Sequence, residues 1–335
     1  MPLDPLHLAT PTDIHTALTS PALQVPAAGA GAPAAASVDV SHSMAWLRAT
    51  VARFSSGPAH ARRRAHATAA LAATDPAELR THAYHLATAA LAAATTPDTA
   101  TAPGAATGRL DVMPELARRV PLTVLATALG ATDVPAAVTA TLTAAPGYLV
   151  PPDPPVAEID QAVGELVHLL ATGHPAARDD EVTANRIALL LQAADATAGL
   201  IGNAAPYALD PAHDAHSTEA VLAEVLRFDP PVRLARRVAV RDTTLAGTAV
   251  PAGTPVVLHL AEADRAPGAG EVSTFGYGEH RCPGDRHALA LAAGVLDALR
   301  RGPRRWRTGE VECDPDAHPR VPSYLEIVEI EGDAR

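Results

Sequence analysis

Val182 to Ala205 is the most continuously apolar of the chain's helical stretches. Such a stretch reads as a helix that is hydrophobic all round and therefore crosses the interior. The other strongly patterned segments are helical too. Ala157 to Ala171 sets Ile159, Val163, Leu166, Val167 and Leu170 on one face. Ser217 is a natural N-cap for a helix running to Phe228, which Asp229-Pro230-Pro231 ends. Helical spacing also fills Ala45 to Ala73, with a break at Ser55-Ser56-Gly57-Pro58. It returns from Pro114 to Leu129, kinked at Pro121 and stopped at Gly130. A last helix runs from Gly284 to Arg301. The residues are 48% apolar but only 3% aromatic, and much of the apolar share is alanine, whose small side chain lets helix axes approach.

Between Val238 and Leu260 the texture changes. β-Branched residues alternate around turns at Ala246-Gly247 and Pro251-Ala252-Gly253, which predicts short hairpins. Pro146 to Pro155 holds five prolines and is expected to be neither helix nor central strand. Residues 1–44, with a Pro/Ala/Gly-rich Pro26 to Ala36, are expected to form an irregular lead-in. Residues 45–335 are expected to form a single, mainly α domain with a small β region. A net charge of -11 argues against nucleic acid, because phosphate binding needs a basic face. Cys282 and Cys313 are the two cysteines, too few for a disulfide framework. No signal peptide is evident and no uncharged apolar stretch approaches the length of a membrane span, so a cytoplasmic protein is expected.

Phe275-Gly276-Tyr277-Gly278-Glu279-His280-Arg281-Cys282-Pro283-Gly284 places a cysteine at the entry to that last helix. There, free N–H groups and the positive end of the helix dipole stabilise a thiolate. Gly276 and Gly278 permit a tight backbone path. Pro283 suits the first helical position, and its missing N–H removes one hydrogen bond to the sulfur. A lone cysteine beside a glycine-rich loop is ordinarily buried and inert. This pattern, however, resembles the haem-binding loop of the cytochrome P450 superfamily at Phe275, Gly278, Cys282 and Gly284, with His280 two before the cysteine. The resemblance implies the family's helical prism with a small β region. It also implies haem b with Cys282 as axial ligand to the iron, the cofactor-binding loop including Phe275, Gly276 and Gly284.

Other landmarks stand in the family's order. Glu224-Val225-Leu226-Arg227 matches a Glu-x-x-Arg helix, whose side chains share a face. Arg237 then occupies the place of an arginine for a haem propionate. His60 and Arg64 resemble a His-x-x-x-Arg pair contacting the propionates from another helix, and arginine's planar fork suits a carboxylate.

The chain also departs from the family. The central helix normally offers an acid followed by a threonine for proton delivery during oxygen activation. Thr183-Ala184-Asn185 and Leu200-Ile201-Gly202-Asn203 resemble that motif's flanks, and between them the acid position is Asp195 and the alcohol position Ala196. A shift of one residue would put Thr197 in the alcohol's place but leave Ala196 as the acid; either way one partner is missing. No Phe-x-x-x-Arg precedes the cysteine loop, so Arg265 stands in for the usual third member of the Glu224–Arg227 triad, or the triad is a pair. The segment covering the substrate, Ala131 to Val182, is abbreviated.

The resemblance therefore implies a haem-thiolate monooxygenase acting on a small molecule, free or carrier-bound, in secondary-metabolite biosynthesis. No flavin or nicotinamide fingerprint is present, so electrons would come from an external donor, a ferredoxin with its reductase. Alternatives are a peroxygenase, isomerase or nitrogen-oxidising catalyst lacking the acid–alcohol pair, or a non-catalytic recruitment module. His82/His85 and His213/His216 match no recognised zinc spacing and read as surface residues. The basic run Arg300, Arg301, Arg304, Arg305 and Arg307 reads as a solvated face or a docking patch for an acidic donor.

Overall fold

The computed structural model describes residues 3–27, 42–94, 108–150, 152, 155–171 and 180–330. The contacts divide the chain into two compact units, each assembled from three separated stretches. One comprises Met1–Ala73, Ala126–Gln192 and Val232–Asp285; the other comprises Thr74–Leu125, Ala193–Pro231 and Arg286–Arg335.

The first unit is organised on a four-stranded sheet in the order Leu6–Leu8, Pro255–His259, Leu234–Ala239, Leu23–Gln24. The outermost pair Leu6–Leu8 with Pro255–His259 is parallel, and the other pairs are antiparallel. The expected irregular lead-in thus gives way over its first part. Leu6–Leu8 is a strand, Pro11–Thr19 is a helix capped by Thr10, whose side chain accepts from the Asp13 N–H, and Leu23–Gln24 joins the sheet. The lead-in is held by burial: Ile14, Ala17, Leu18 and Leu23 pack in one core with Val256, Leu258 and Leu260. Residues 28–36 of the Pro/Ala/Gly-rich stretch lie outside the described residues. The expected hairpin is present as Thr243–Leu245 paired with Thr248–Val250. Ala246 and Gly247 sit at φ 50° and 76°, the positive values a tight two-residue turn requires.

The helices of this unit are Met44–Thr50, Gly57–Ala72, Val134–Ala144, Pro146–Leu149, Ala157–Ala171 and Leu260–Arg265. Pro146 opens a single helical turn where none was expected, because proline is tolerated at the first helical position. Of the amphipathic face of Ala157–Ala171, Ile159, Val163, Leu166 and Leu170 are buried, and Val167 is half-buried.

The long helix extends over Asp180–Ala208, two to three residues beyond its apolar run at either end. It is the one described helix long and apolar enough to cross a membrane by length and composition, although it carries Arg186 and Asp195; 78% of its most apolar window is buried in the structure, as in a core helix.

In the second unit, Pro76–Ala94 and Thr218–Phe228 join the cysteine helix, Asp285–Arg301, through a polar network. Asp297, 7% exposed, accepts from Arg80 Nε and Nη2 at 2.9 and 2.7 Å and from Thr218 Oγ1 at 2.7 Å. Ser217 caps its helix as expected, accepting from the Ala220 N–H. The expected helix from Pro114 begins as a π-helical stretch, Met113–Arg119, and becomes α-helix at Val120–Ala128. A three-stranded sheet in the order Arg109–Asp111, Tyr324–Glu329, Trp306–Glu312 completes the unit. Part of the basic run is occupied structurally: Arg304 pairs with Glu329, and Arg300 donates to the His213 and His216 carbonyls.

Candidate functional site

The cysteine loop is held by backbone geometry. The Cys282 N–H donates to the Phe275 carbonyl at 2.8 Å, the Gly276 N–H to Ser273 at 2.7 Å and the Arg281 N–H to Gly278 at 3.1 Å. Gly276 and Gly278 sit at φ 72° and 67°, conformations that L side chains rarely adopt. Ahead of the loop, the buried Asp264 carboxylate accepts from the Ser273 N–H at 2.8 Å and its hydroxyl at 2.7 Å, while Thr274 Oγ1 donates to the Val232 carbonyl at 3.1 Å. Asp264 and Ser273 therefore anchor the loop, a role the sequence reading missed. An acid and a serine nine residues apart carry no spacing signal.

Cys282 is half-buried, and burial pushes its thiol up; the Gly284 backbone hydrogen bond opposes this, Asp285 adds to it, and Arg64 and Arg53 pull back. The Gly284 backbone thus donates to the sulfur. A Cβ on Gly284 would meet Leu71 Cδ1 at 3.5 Å, an ordinary contact, so its backbone donor matters more than its size.

Around the cysteine the first unit gathers cationic and imidazole groups. Strand alternation puts Arg237 on the buried side with Ala239 and sends Arg236 outward. Arg237 is 6% exposed and donates to the Arg236 carbonyl at 2.9 Å, but no carboxylate pairs with it among the described residues. Burial lowers its pKa to about 10, with Arg53 contributing and Glu279 opposing. The rings of buried His60 and half-buried His280 stack at 4.0 Å between centroids. His280 is driven down to about 3, first by burial, then by His60, Arg237, Arg53 and Arg64. His60 is also lowered, chiefly by burial. Glu279 lies 3.5 Å from His280 Nε2, yet that nitrogen is buried without a hydrogen bond, and a neutral imidazole makes no ion pair.

His60, Glu279 and His280 bring potential ligand atoms within 4.8 Å of one another, which raises the question of a cation. The surrounding charge answers it. Arg53, Arg64 and Arg237 all bear on His280, and a cationic surround favours an anion. A buried arginine without a carboxylate and an orphaned imidazole nitrogen beside a cysteine fit a haem whose propionates meet the cations and whose iron meets the sulfur. Sequence reading did not identify Arg53, which sits in the short turn Ala52–Phe54.

Cys282, His60, Arg64, Arg237, His280, Phe275, Gly276 and Gly284 all fall in the first unit; Asp195, Ala196 and Thr197 lie on the second-unit part of the long helix. Asp195 is raised by burial, opposed by Arg118, whose guanidinium lies 4.0 Å away. Ala196 is half-buried and Thr197 is buried. Of the flanking motif residues, Asn185 accepts from the Ala52 N–H at 3.0 Å, and Asn203 donates to the Asp229 carbonyl at 2.9 Å.

The cytochrome P450 family model matches residues 200–268. The P450 140 protein of Mycobacterium tuberculosis is 33% identical over 160 residues, which cover 41% of this chain and 36% of that protein. The matched region thus spans about a third of that curated relative's length. Among solved structures, P450BioI in complex with hexadec-9Z-enoic acid ligated acyl carrier protein is similar with a TM-score of 0.79 at 16% identity, over 97% of this chain and 92% of that one. CxnD, a cytochrome P450 enzyme for C–S bond formation in chuangxinmycin biosynthesis, is similar with a TM-score of 0.76 at 22% identity, over 97% and 88%. At these identities the structural likeness speaks for the fold.

Proposed function

We propose that the chain is a member of the cytochrome P450 family, a reading supported by the partial family match and the similarity to the mycobacterial relative, and that it is a haem-thiolate monooxygenase acting on a small organic molecule in secondary-metabolite biosynthesis. One observation carries the reading: the Cys282 loop, closed by its bond to the Phe275 carbonyl, lies in the same unit as a buried arginine, Arg237, that pairs with no carboxylate among the described residues. When bound, haem supplies the iron centre at which oxygen is activated.

The chain's own residues set the conditions. Cys282 is the ligand; Pro283 withholds one donor from the sulfur and Gly284 supplies one, so the thiolate keeps much of its electron density. Arg237, Arg64, His60 and His280 hold the propionates, with neutral histidines donating N–H groups and arginines supplying charge. Phe275 and Gly276 shape the loop. Asp195 carries protons, and its upward shift suits a group that must both take and give them. Ala196 offers no hydroxyl, so a substrate hydroxyl or amine, an ordered water or Thr197 takes that part.

A ferredoxin with its reductase supplies electrons, the substrate is free or carrier-bound, and the protein works in the cytoplasm; the acyl carrier protein in the P450BioI complex makes a carrier-bound substrate worth testing first. The test is the reduced carbon monoxide spectrum of haem-loaded protein. A red-shifted Soret band that Cys282→Ser abolishes is expected, and a serine variant with the parent's spectrum overturns the reading.

Ala196 favours a second reading, in which the haem works with peroxide, as an isomerase or in nitrogen oxidation. Product formed with ferredoxin and reductase, compared with peroxide alone, separates the two. Under substrate assistance, Ala196→Thr is expected to change the coupling of reductant to product; unchanged coupling removes that idea.

A further inference from the structure

At the edge of the four-stranded sheet, two histidines from neighbouring strands face each other. His7 Nδ1 lies 2.8 Å from His259 Nε2, with the rings tilted by 38°. The parallel register pairs His7 with Val257. His259 lies two residues along the strand, so both side chains share one face of the sheet. The second nitrogen of His259, Nδ1, lies 3.1 Å from Glu262 Oε1. His7 is exposed and His259 is half-buried.

We propose that His7 and His259 form a binding site for a divalent first-row cation of the nickel or copper class, with Glu262 as the carboxylate that orients His259. Two imidazoles each about 2.0–2.1 Å from one metal at a right angle put their nitrogens about 2.9–3.0 Å apart, whereas a tetrahedral angle needs about 3.3 Å. The observed 2.8 Å, a hydrogen-bond distance, lies nearer the right-angled case, which favours cations of square-planar or octahedral habit over zinc once the shared proton leaves and the lone pairs turn to the metal. A hydrogen bond from the far ring nitrogen to a carboxylate is the usual support of a metal-bound histidine, because it fixes the tautomer that leaves the other nitrogen's lone pair free. Water fills the remaining positions on the exposed side. Because one ligand comes from Leu6–Leu8 and the other from Pro255–His259, the metal would staple the N-terminal strand to the sheet. His7, His259 and Glu262 take no part in the haem reading, so the proposal does not depend on it.

The experiment is calorimetric titration of the haem-loaded protein with nickel chloride, with thermal unfolding measured in parallel. One tight site and a nickel-dependent rise in Tm are expected. His7→Ala and His259→Ala should each abolish both, and Glu262→Gln should weaken binding by roughly 10–100-fold. His216→Ala, in the other histidine pair, should leave both unchanged. If the parent binds nickel no more tightly than His7→Ala, the two rings share only a proton and the proposal fails. His7 is exposed, so its variant decides the matter even if His259→Ala misfolds.

Discussion

Replacing Arg237 with methionine should push two properties of the protein in opposite directions. In the haem-free chain the guanidinium is 6% exposed, unpaired by any carboxylate among the described residues, and lowered by burial to about 10. That displacement corresponds to about 3 kcal/mol of cost for keeping the charge inside, with little relief from solvent at such burial. Methionine fills similar space without charge. The bond to the Arg236 carbonyl at 2.9 Å is lost, at about 1 kcal/mol. The haem-free Arg237→Met protein should therefore be more stable by about 1–2 kcal/mol in urea unfolding at neutral pH. The sign follows from linkage: a base whose folded pKa lies below its unfolded value destabilises the fold while charged. That cost is complete below about pH 10 and fades as pH climbs from there toward the guanidinium's ordinary range; the advantage of the variant should fade over the same window. With haem bound the order reverses. A propionate loses a charge-assisted partner worth about 1.5–3 kcal/mol, so haem should bind roughly 10–100-fold more weakly, read as faster transfer to apomyoglobin. Destabilisation of the haem-free protein by Arg237→Met, or haem transfer at the parent's rate, would refute the assignment of Arg237 to an anionic ligand.

Three further outcomes follow from the packing. Asp297→Ala strips the acceptor from Arg80 and Thr218 and should cost about 3 kcal/mol in urea unfolding, the low end for a broken buried pair because the Arg80 side chain is one-third exposed. Glu181, held at about 2 first by its hydrogen bond to Arg62 and then by Arg63 against burial, stabilises the fold above pH 4.5 and loses that effect as pH falls toward 2. Since Arg62 is 57% exposed, Glu181→Gln should cost less than about 1 kcal/mol at pH 7, and the gap should close at acid pH. Gly199→Ala would set a Cβ 2.7 Å from Pro231 Cβ and 2.8 Å from the Arg320 carbonyl oxygen. Overpacking of about 1–3 kcal/mol is expected, seen as a lower Tm.

The readable parts of this chain were those with local causes. Ser217 announced its helix because a cap is a one-residue chemical event, and Ala246-Gly247 announced its turn because the backbone needs positive φ there. Ala157–Ala171 was legible to the residue from its apolar spacing. Pro76–Ala94 went unread, although it is a long helix: its many alanines blur the polar and apolar faces that make periodicity visible. The sheet of Trp306–Glu312 and Tyr324–Glu329 is a long-range pairing with a register shift between Thr308 and Val311, which no local pattern encodes. At the site, Cys282 and Gly284 were visible in their motif. Arg53 and the Asp264–Ser273 anchor were not, because their roles arise only when distant segments meet.

That meeting has an energetic consequence. A chain of net charge -11 has carboxylates to spare, yet among the described residues it pairs none with buried Arg237 and sets only exposed Glu279 near Arg237 and the two histidines. Pairing the arginine internally would stabilise the haem-free fold; leaving it unpaired raises that state's free energy and reserves the interaction for an anion from outside. The neutral histidines serve the same end, since a protonated His280 would add cost without a partner, and its depression to about 3 removes that charge at any ordinary pH. The site is therefore selective by charge before shape enters. An anionic macrocycle held there would gain the withheld interaction, whereas a bare cation at His60, Glu279 and His280 would meet the field of three arginines. Binding and folding are coupled through the same groups, so haem should raise the unfolding midpoint by more in the parent than in Arg237→Met.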